Sequence, residues 1–459
     1  MNVIVIVADS LRVDHVGCYG SSVKTPNVDR LAADSAVFDQ AYSENLPTLP
    51  TRTAWWTGLY QFVWRGWQHF EPWDYLLAEV LWDKGFTSAL VTDTYHMHKP
   101  VYNCGRGFDT TCFVRGQEYD KWVVDESIPV DVSARHRLRG DDKDALWRER
   151  FEQYLRNTSW YKGEEDYNVA RVVKEAIRWL EYVTQKQKDN LFLWVDCFDP
   201  HEPWDPPPPY NAMYDPDYSG QELVDPVPGP VEGYMTPEEV KHTLALYAGE
   251  VTFVDKWVGV LLDRIRDLGL YDNSLIMFTT DHGEPFGEHG IIRKARPWCY
   301  EELCHIPWLI RHPEGTGAGS RFGSFVQTPD LMPTVLDALG IPPKLTLPYT
   351  APVKHTFPQD IVVRKQDINL TGKSLLPMMR GEEETVHDFA VSAHHGSQWA
   401  IRTADWTYLY NLRGARPNEL YDRRGDPAEQ RNVIEEHREA ADALELTLRR
   451  FAESLEAAR

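Results

Sequence analysis

Val3-Ile4-Val5-Ile6-Val7-Ala8-Asp9 and, more than half the chain later, Leu275-Ile276-Met277-Phe278-Thr279-Thr280-Asp281-His282-Gly283 share one pattern: an apolar run closed by an acid. Runs without polar alternation fit strands buried on both faces of a parallel sheet, which delivers side chains to a crevice at its carboxyl ends. Asp9, Asp281 and His282 therefore stand where an open α/β fold does its chemistry. Between the runs lies Thr48-Leu49-Pro50-Thr51-Arg52, a hydroxyl and a guanidinium about one helical turn apart.

The pattern around these runs predicts alternating strands and helices. Strand 2–8 leads to a helix that Thr25 caps and Pro26 opens, with Val28, Leu31, Ala32 and Ser35 on one face. Residues 73–84 have helical spacing and stop at Gly85, ahead of a strand from Phe86 to Thr92. An amphipathic helix over 165–188 feeds the strand Leu191–Val195. Thr236-Pro237-Glu238-Glu239 starts a long helix that ends at Gly269, before strand 274–280. Such βαβ units predict an α/β fold with a large, mostly parallel sheet flanked by helices. Residues 113–164, rich in charge, and 202–235, rich in proline, break the periodicity and read as lids, substrate-shaping loops or surface insertions. From about residue 385 the character changes. Phe389–Ala393 and Trp399–Leu412 read as antiparallel strands, Glu419–Asp426 as turn-rich, and the stretch from about 434 as a charged amphipathic helix. The division expected is a catalytic domain over 1–384 and a smaller C-terminal α+β subdomain over 385–459.

At 459 residues and 42% apolar composition the chain is long enough for a large core with a companion unit. It contains no uncharged apolar run of about 18 residues, so no membrane span is expected. The first strand starts at Asn2 without a basic region or cleavage pattern before it, which predicts a cytoplasmic protein. Six scattered cysteines form no CxxC pair and read as reduced thiols. A net charge of −22 argues against nucleic acid as a partner and requires any anion site to carry its own cations.

The residues resemble the sulfatase and phosphonate-monoester-hydrolase branch of the alkaline phosphatase superfamily. The resemblance is carried by Val7-Ala8-Asp9-Ser10-Leu11-Arg12, Gly17-Cys18-Tyr19-Gly20, Thr25-Pro26-Asn27, Gly107-Phe108-Asp109 and Asp199-Pro200-His201. It continues through Asp281-His282-Gly283, Gly287-Glu288-His289-Gly290 and Lys294, then Asp330-Leu331-Met332-Pro333-Thr334, Gly372-Lys373-Ser374-Leu375 and Glu419-Leu420-Tyr421-Asp422. The ordered set spans most of the chain. It implies an alkaline-phosphatase-like catalytic domain and one divalent metal ion held by Asp9, Asp281, His282 and the Thr48 oxygen. Oxygen donors with one imidazole suit Mn²⁺ or Zn²⁺, and Ca²⁺ less well, since Ser10 stands where many sulfatases carry a second acid.

The resemblance also places the nucleophile at Thr48, where the family has a cysteine or serine that becomes formylglycine. Threonine already bears a methyl group on its β-carbon, so oxidation there gives no aldehyde. It leaves an ordinary ester that water must attack, which favours phosphorus over sulfur. Arg52 then orients Thr48 or holds a nonbridging oxygen, while Lys294 binds the anion and His201 protonates the leaving group near neutral pH. Thr94 and His96 match a further anion contact, with His98 as the alternative to His96. Trp64, Trp67 and His69 follow the nucleophile segment and belong either to the pocket wall or to the core. The bland readings are that Asp9 and Asp281 cap helices and that Thr48 is an ordinary loop hydroxyl. The expected function is metal-dependent hydrolysis of a phosphodiester or phosphonate monoester through a covalent threonine intermediate, with a small anionic ester as partner and an oligomer allowed. A sulfatase acting without formylglycine and a silent anion-binding relative are the alternatives.

Overall fold

The computed structural model describes residues 1–295, 299–347, 364–414 and 416–458. Its main sheet has eight strands, ordered from edge to edge Arg321–Gln327, Ala36–Tyr42, Trp308–Arg311, Ser274–Thr279, Asn2–Ala8, Leu191–Cys197, Thr87–Thr92 and Thr110–Phe113. Trp308–Arg311 runs antiparallel to both neighbours, and the other pairings are parallel. Every residue of Asn2–Ala8 is buried. Successive side chains of this strand alternate between two cores, as the period of two requires. Ile4, Ile6 and Ala8 pack with helices Pro26–Ala33, Asn168–Val183 and Pro237–Asp267. Val3, Val5 and Val7 pack with Thr48–Thr57, Leu77–Asp83 and Leu331–Ala338.

Register brings the functional ends together. Val7 lies opposite both Asp196 and Thr279, and Thr92 lies opposite Asp196. Asp9, Asp196, Asp281 and the turn after Thr92 consequently emerge at one edge. The chain leaves Asn2–Ala8 toward one side of the sheet for Ala36–Tyr42 and reaches the other side at Thr87–Thr92, so this edge is a topological switch point.

The second sheet has the order Glu419–Asp422, Trp406–Asn411, Gln398–Arg402, Ala390–His394 and Asn45–Leu46. Helix Arg438–Ala458 covers it through Leu444, Leu448 and Leu455. Two differences from the sequence reading matter. Glu419–Asp422 is an edge strand, not a turn. The sheet also takes its fifth strand from Asn45–Leu46, in parallel register with Ala393 and His394, which pins the chain just ahead of Thr48. A two-residue strand is too short to show periodicity.

Several helix ends also shift. The expected helix over 73–84 is Leu77–Asp83, because Asp74 is held outside it by Arg65 and by the backbone N–H of Glu71. The helix expected over 165–188 is Asn168–Val183. Thr25 precedes its helix but makes no cap bond, since its hydroxyl accepts from Gly17 N–H at 2.7 Å and donates to Asp29 at 3.1 Å. Thr236 does cap Pro237–Asp267, with the Glu239 side chain returning the bond.

Candidate active site

Arg52 organises the crevice from below. Its five donors are all taken: Nε and Nη2 by Asp196, Nη2 also by Asp9, and Nη1 by Asp281 and the carbonyl of Thr48. Burial works against this guanidinium, yet Asp196, Asp281 and Asp9 keep its pKa above the ordinary value. Of the two roles open from the sequence, orienting Thr48 is the one the geometry supports; no donor remains to hold a substrate oxygen. Thr94 is corrected in the same way. Its fully buried hydroxyl donates to Asp196 at 2.9 Å, so it props the carboxylate instead of facing an anion.

Asp9, Asp281 and His282 are fully buried, and one ligand atom from each lies within 4.8 Å of the others. His282 Nδ1 sits 2.8 Å from the carbonyl of Gly283, which fixes the proton on Nδ1 and leaves a lone pair on Nε2. That Nε2 is buried without a hydrogen-bond partner among the described residues, 3.5 Å from Asp281 Oδ2 and 3.9 Å from Asp9 Oδ1. A lone pair facing two carboxylates, with a backbone carbonyl on the far ring nitrogen, is how a metal-ligating imidazole is presented. Three carboxylates also share one guanidinium, so negative charge is in excess. Burial and then Asp281 push Asp9 upward in pKa, whereas Asp281, though burial opposes its charge, is held low with the Arg52 guanidinium beside it. The donor set fits a divalent cation. Ser10 caps it, with φ of 62°, its N–H on Asp281 and its hydroxyl 3.0 Å from Asp9 Oδ1.

Thr48 opens helix Thr48–Thr57, after Pro47 at the N-cap. It lines a cavity of about 540 Å³ together with Trp67, His96, Tyr102, Glu118, Tyr119, His201, Glu202 and Lys294. Its carbonyl is held by Arg52, while its hydroxyl has no hydrogen bond to the described residues. The free hydroxyl lies at the positive end of a helix dipole, a favourable place for an anion.

Lys294 bonds Glu202 at 2.8 Å and Glu284, and lies 3.4 Å from Ser10 Oγ. Burial opposes its charge, but the two glutamates raise its pKa. His201 Nδ1 is 2.9 Å from the Glu202 carbonyl. Burial, reinforced by Lys294 and Arg293, takes its pKa well below the ordinary value despite Glu202, so it rests neutral. That direction runs against the sequence's expectation of titration near neutrality. Between the two histidines left open, His96 lines the cavity, whereas His98 lies 3.3 Å from Asp120. Trp67 also lines the cavity; Trp64 faces a different one, and His69 lies on the surface near Glu71.

Sequence reasoning missed Asp196, Glu202, Glu284 and Glu118. Asp196 closes Leu191–Val195 as Asp9 closes the first strand, so the signal was present one residue beyond the apolar run. Glu202 and Glu284 follow His201 and Gly283 directly but carry no periodicity of their own.

A sequence profile of the sulfatase family matches residues 1–341. An arylsulfatase of Clostridium perfringens is 24% identical over 487 residues, covering 96% of this chain and 92% of the relative. Arylsulfatase K of Bos taurus is 25% identical over 488 residues, covering 98% and 81%. Among solved structures, the phosphonate monoester hydrolase of Agrobacterium radiobacter superposes with a TM-score of 0.74 at 23% identity, covering all of this chain and 95% of the other. That of Silicibacter pomeroyi gives 0.71 at 22%, covering 99% and 94%.

Proposed function

Because this chain belongs to the sulfatase family and is a sulfatase-like ester hydrolase, we propose that it cleaves phosphodiesters or phosphonate monoesters through a covalent ester on Thr48. The observation that carries this reading is the Thr48 hydroxyl itself: without a hydrogen bond to the described residues, at a helix N-terminus, in a cavity shared with His201 and Lys294. A divalent cation held by Asp9, Asp281 and His282 supplies Lewis-acid neutralisation of oxygen charge and acidifies a nearby hydroxyl. One imidazole with carboxylates, and Ser10 in place of a second acid, favours Mn²⁺ or Zn²⁺ over Ca²⁺.

Thr48 Oγ gives its proton to solvent and bonds to phosphorus as the bond to the leaving alcohol breaks. That electron pair goes to the leaving oxygen. Lys294 balances charge on the nonbridging oxygens, and Arg52 keeps the Thr48 backbone aligned. An anionic ester in the cavity raises the proton affinity of His201, so that Nε2 is charged when the alcohol needs its proton. In the second half His201, neutral again, takes a proton from water as the oxygen of that water bonds to phosphorus; the Oγ–P bond breaks, its electron pair stays on Oγ, and Thr48 takes a proton back from solvent. A threonine ester must be released by such an attack, which is easier to assign to phosphorus than to sulfur.

The names of the curated relatives favour a second reading, sulfate ester hydrolysis without formylglycine. Aryl phosphodiester, phosphonate and sulfate esters assayed side by side with Mn²⁺, Zn²⁺ and Ca²⁺ decide between the two. Phosphorus esters are expected to turn over faster, with phosphate or phosphonate trapped on Thr48. Turnover that persists in Thr48→Ala overturns the covalent route, and a preference for sulfate overturns the substrate class.

A further inference from the structure

The cavity at Thr48, about 540 Å³, is large enough to enclose a whole small ester and not only its transferred group. Part of its wall is aromatic, from Trp67, Tyr102 and Tyr119, and beside them stands the carboxyl of Glu118. Glu118 has φ of 44°, in the left-handed region that glutamate rarely occupies unless its surroundings hold it there. Here they do. Asn157 Nδ2 donates to the carbonyls of Glu118 at 3.3 Å and Asp120 at 2.7 Å, and the Asp120 carboxylate takes Arg115 and the N–H of Gly116.

The Glu118 side chain is only 10% exposed, yet its Oε2 is buried without a hydrogen-bond partner among the described residues. His96 Nε2 lies 3.5 Å away, at the limit of a hydrogen bond, and burial keeps that imidazole neutral. Burial and then Glu202 push the Glu118 carboxyl up to about 8. Near neutral pH this buried acid, without a hydrogen-bond partner on Oε2 among the described residues, rests protonated with its carbonyl oxygen able to accept a hydroxyl, and a ligand ammonium in the cavity would favour its ionised form.

We propose that Glu118 is a specificity residue that receives a hydrogen-bond donor, hydroxyl or ammonium, on the leaving-group alcohol, so that the preferred substrates are esters of donor-bearing alcohols. This rests on the reading of the cavity as the ester site of Thr48. The test compares para-methylphenyl, para-(hydroxymethyl)phenyl and para-(aminomethyl)phenyl phosphonate monoesters, which differ only in the donor. Wild type is expected to favour at least one donor-bearing ester by about tenfold or more in kcat/KM. Glu118→Ala is expected to bring that ratio to about one. Glu118→Gln, which keeps the shape if the alanine variant does not fold, retains a preference for the hydroxymethyl ester and loses one for the ammonium. No donor preference in wild type, or one that survives Glu118→Ala, overturns the proposal. Calorimetric binding of the three parent phenols separates it from the catalytic reading. A donor preference in binding that vanishes in Glu118→Ala, with no ester turned over, leaves the Glu118 assignment standing and removes the Thr48 reading.

Discussion

Arg52 and Asp196 form a bidentate pair, Nε to Oδ2 at 3.0 Å and Nη2 to Oδ1 at 2.5 Å, with both side chains fully buried. Asp196 also accepts from Trp194 Nε1 and Thr94 Oγ1, so one carboxylate ties the guanidinium to strand Leu191–Cys197 and to the turn after Thr87–Thr92. Removing its charge leaves a cation buried against fewer partners, and breaking such pairs costs about 3–5 kcal/mol. Asp196→Asn is expected to lose stability of that order in urea unfolding and to lower kcat more than it changes KM, since Arg52 would no longer fix the Thr48 backbone. A variant as stable and as active as wild type would show that the pair does not organise the site.

Much of this arrangement was legible in the sequence, and the reason is physical. Two unalternated apolar runs ending in Asp9 and Asp281 announce doubly buried strands, and parallel register then dictates that their ends meet. The roles of Arg52 and Thr94 were not legible. Both depend on Asp196, whose side chain sits in register with Val7 on a strand that follows in sequence only after residue 190. Pairing partners across a sheet are not written in any local spacing. The strand Asn45–Leu46 was equally hidden, because its partner lies in the C-terminal sheet.

The orphaned Nε2 of His282 gives a direct test of the metal site. Mn²⁺ or Zn²⁺ added to metal-free protein should raise the melting temperature, with about 2.7 kcal/mol of stabilisation at a hundredfold excess over Kd. His282→Ala is expected to lose most of that rise. Differential scanning calorimetry with and without metal reads it independently of activity, and an equal rise in both proteins would remove the assignment.

Ser10 provides a test of metal choice. Its φ of 62° is one that aspartate tolerates better than most residues, and its hydroxyl already lies 3.0 Å from Asp9 Oδ1. Ser10→Asp adds a hard oxygen donor where many sulfatases carry an acid, and Ca²⁺ takes six to eight oxygens on the scale of ~2.3–2.6 Å. The variant is expected to shift its thermal stabilisation toward Ca²⁺ relative to Mn²⁺. An unchanged order of the two metals would mean that residue 10 does not reach the cation.

His289 offers a pH prediction away from the metal. Its Nδ1 lies 2.8 Å from Glu302, its Nε2 lies 2.9 Å from the carbonyl of Glu429, and its ring stacks on Tyr300 at 3.6 Å. Burial opposes the charged ring, but the bond to Glu302 outweighs it and raises the pKa to about 8. A histidine raised in the folded state contributes stability that is fully present below its unfolded value of about 6.5 and fades as pH rises through about 8. After allowance for solvent screening the contribution is on the order of 1 kcal/mol. Wild type should therefore lose stability relative to His289→Gln between roughly pH 6.5 and 8. Parallel urea titrations of the two proteins across that window measure the difference, and curves that stay parallel would show that the imidazole is not charged in this pair.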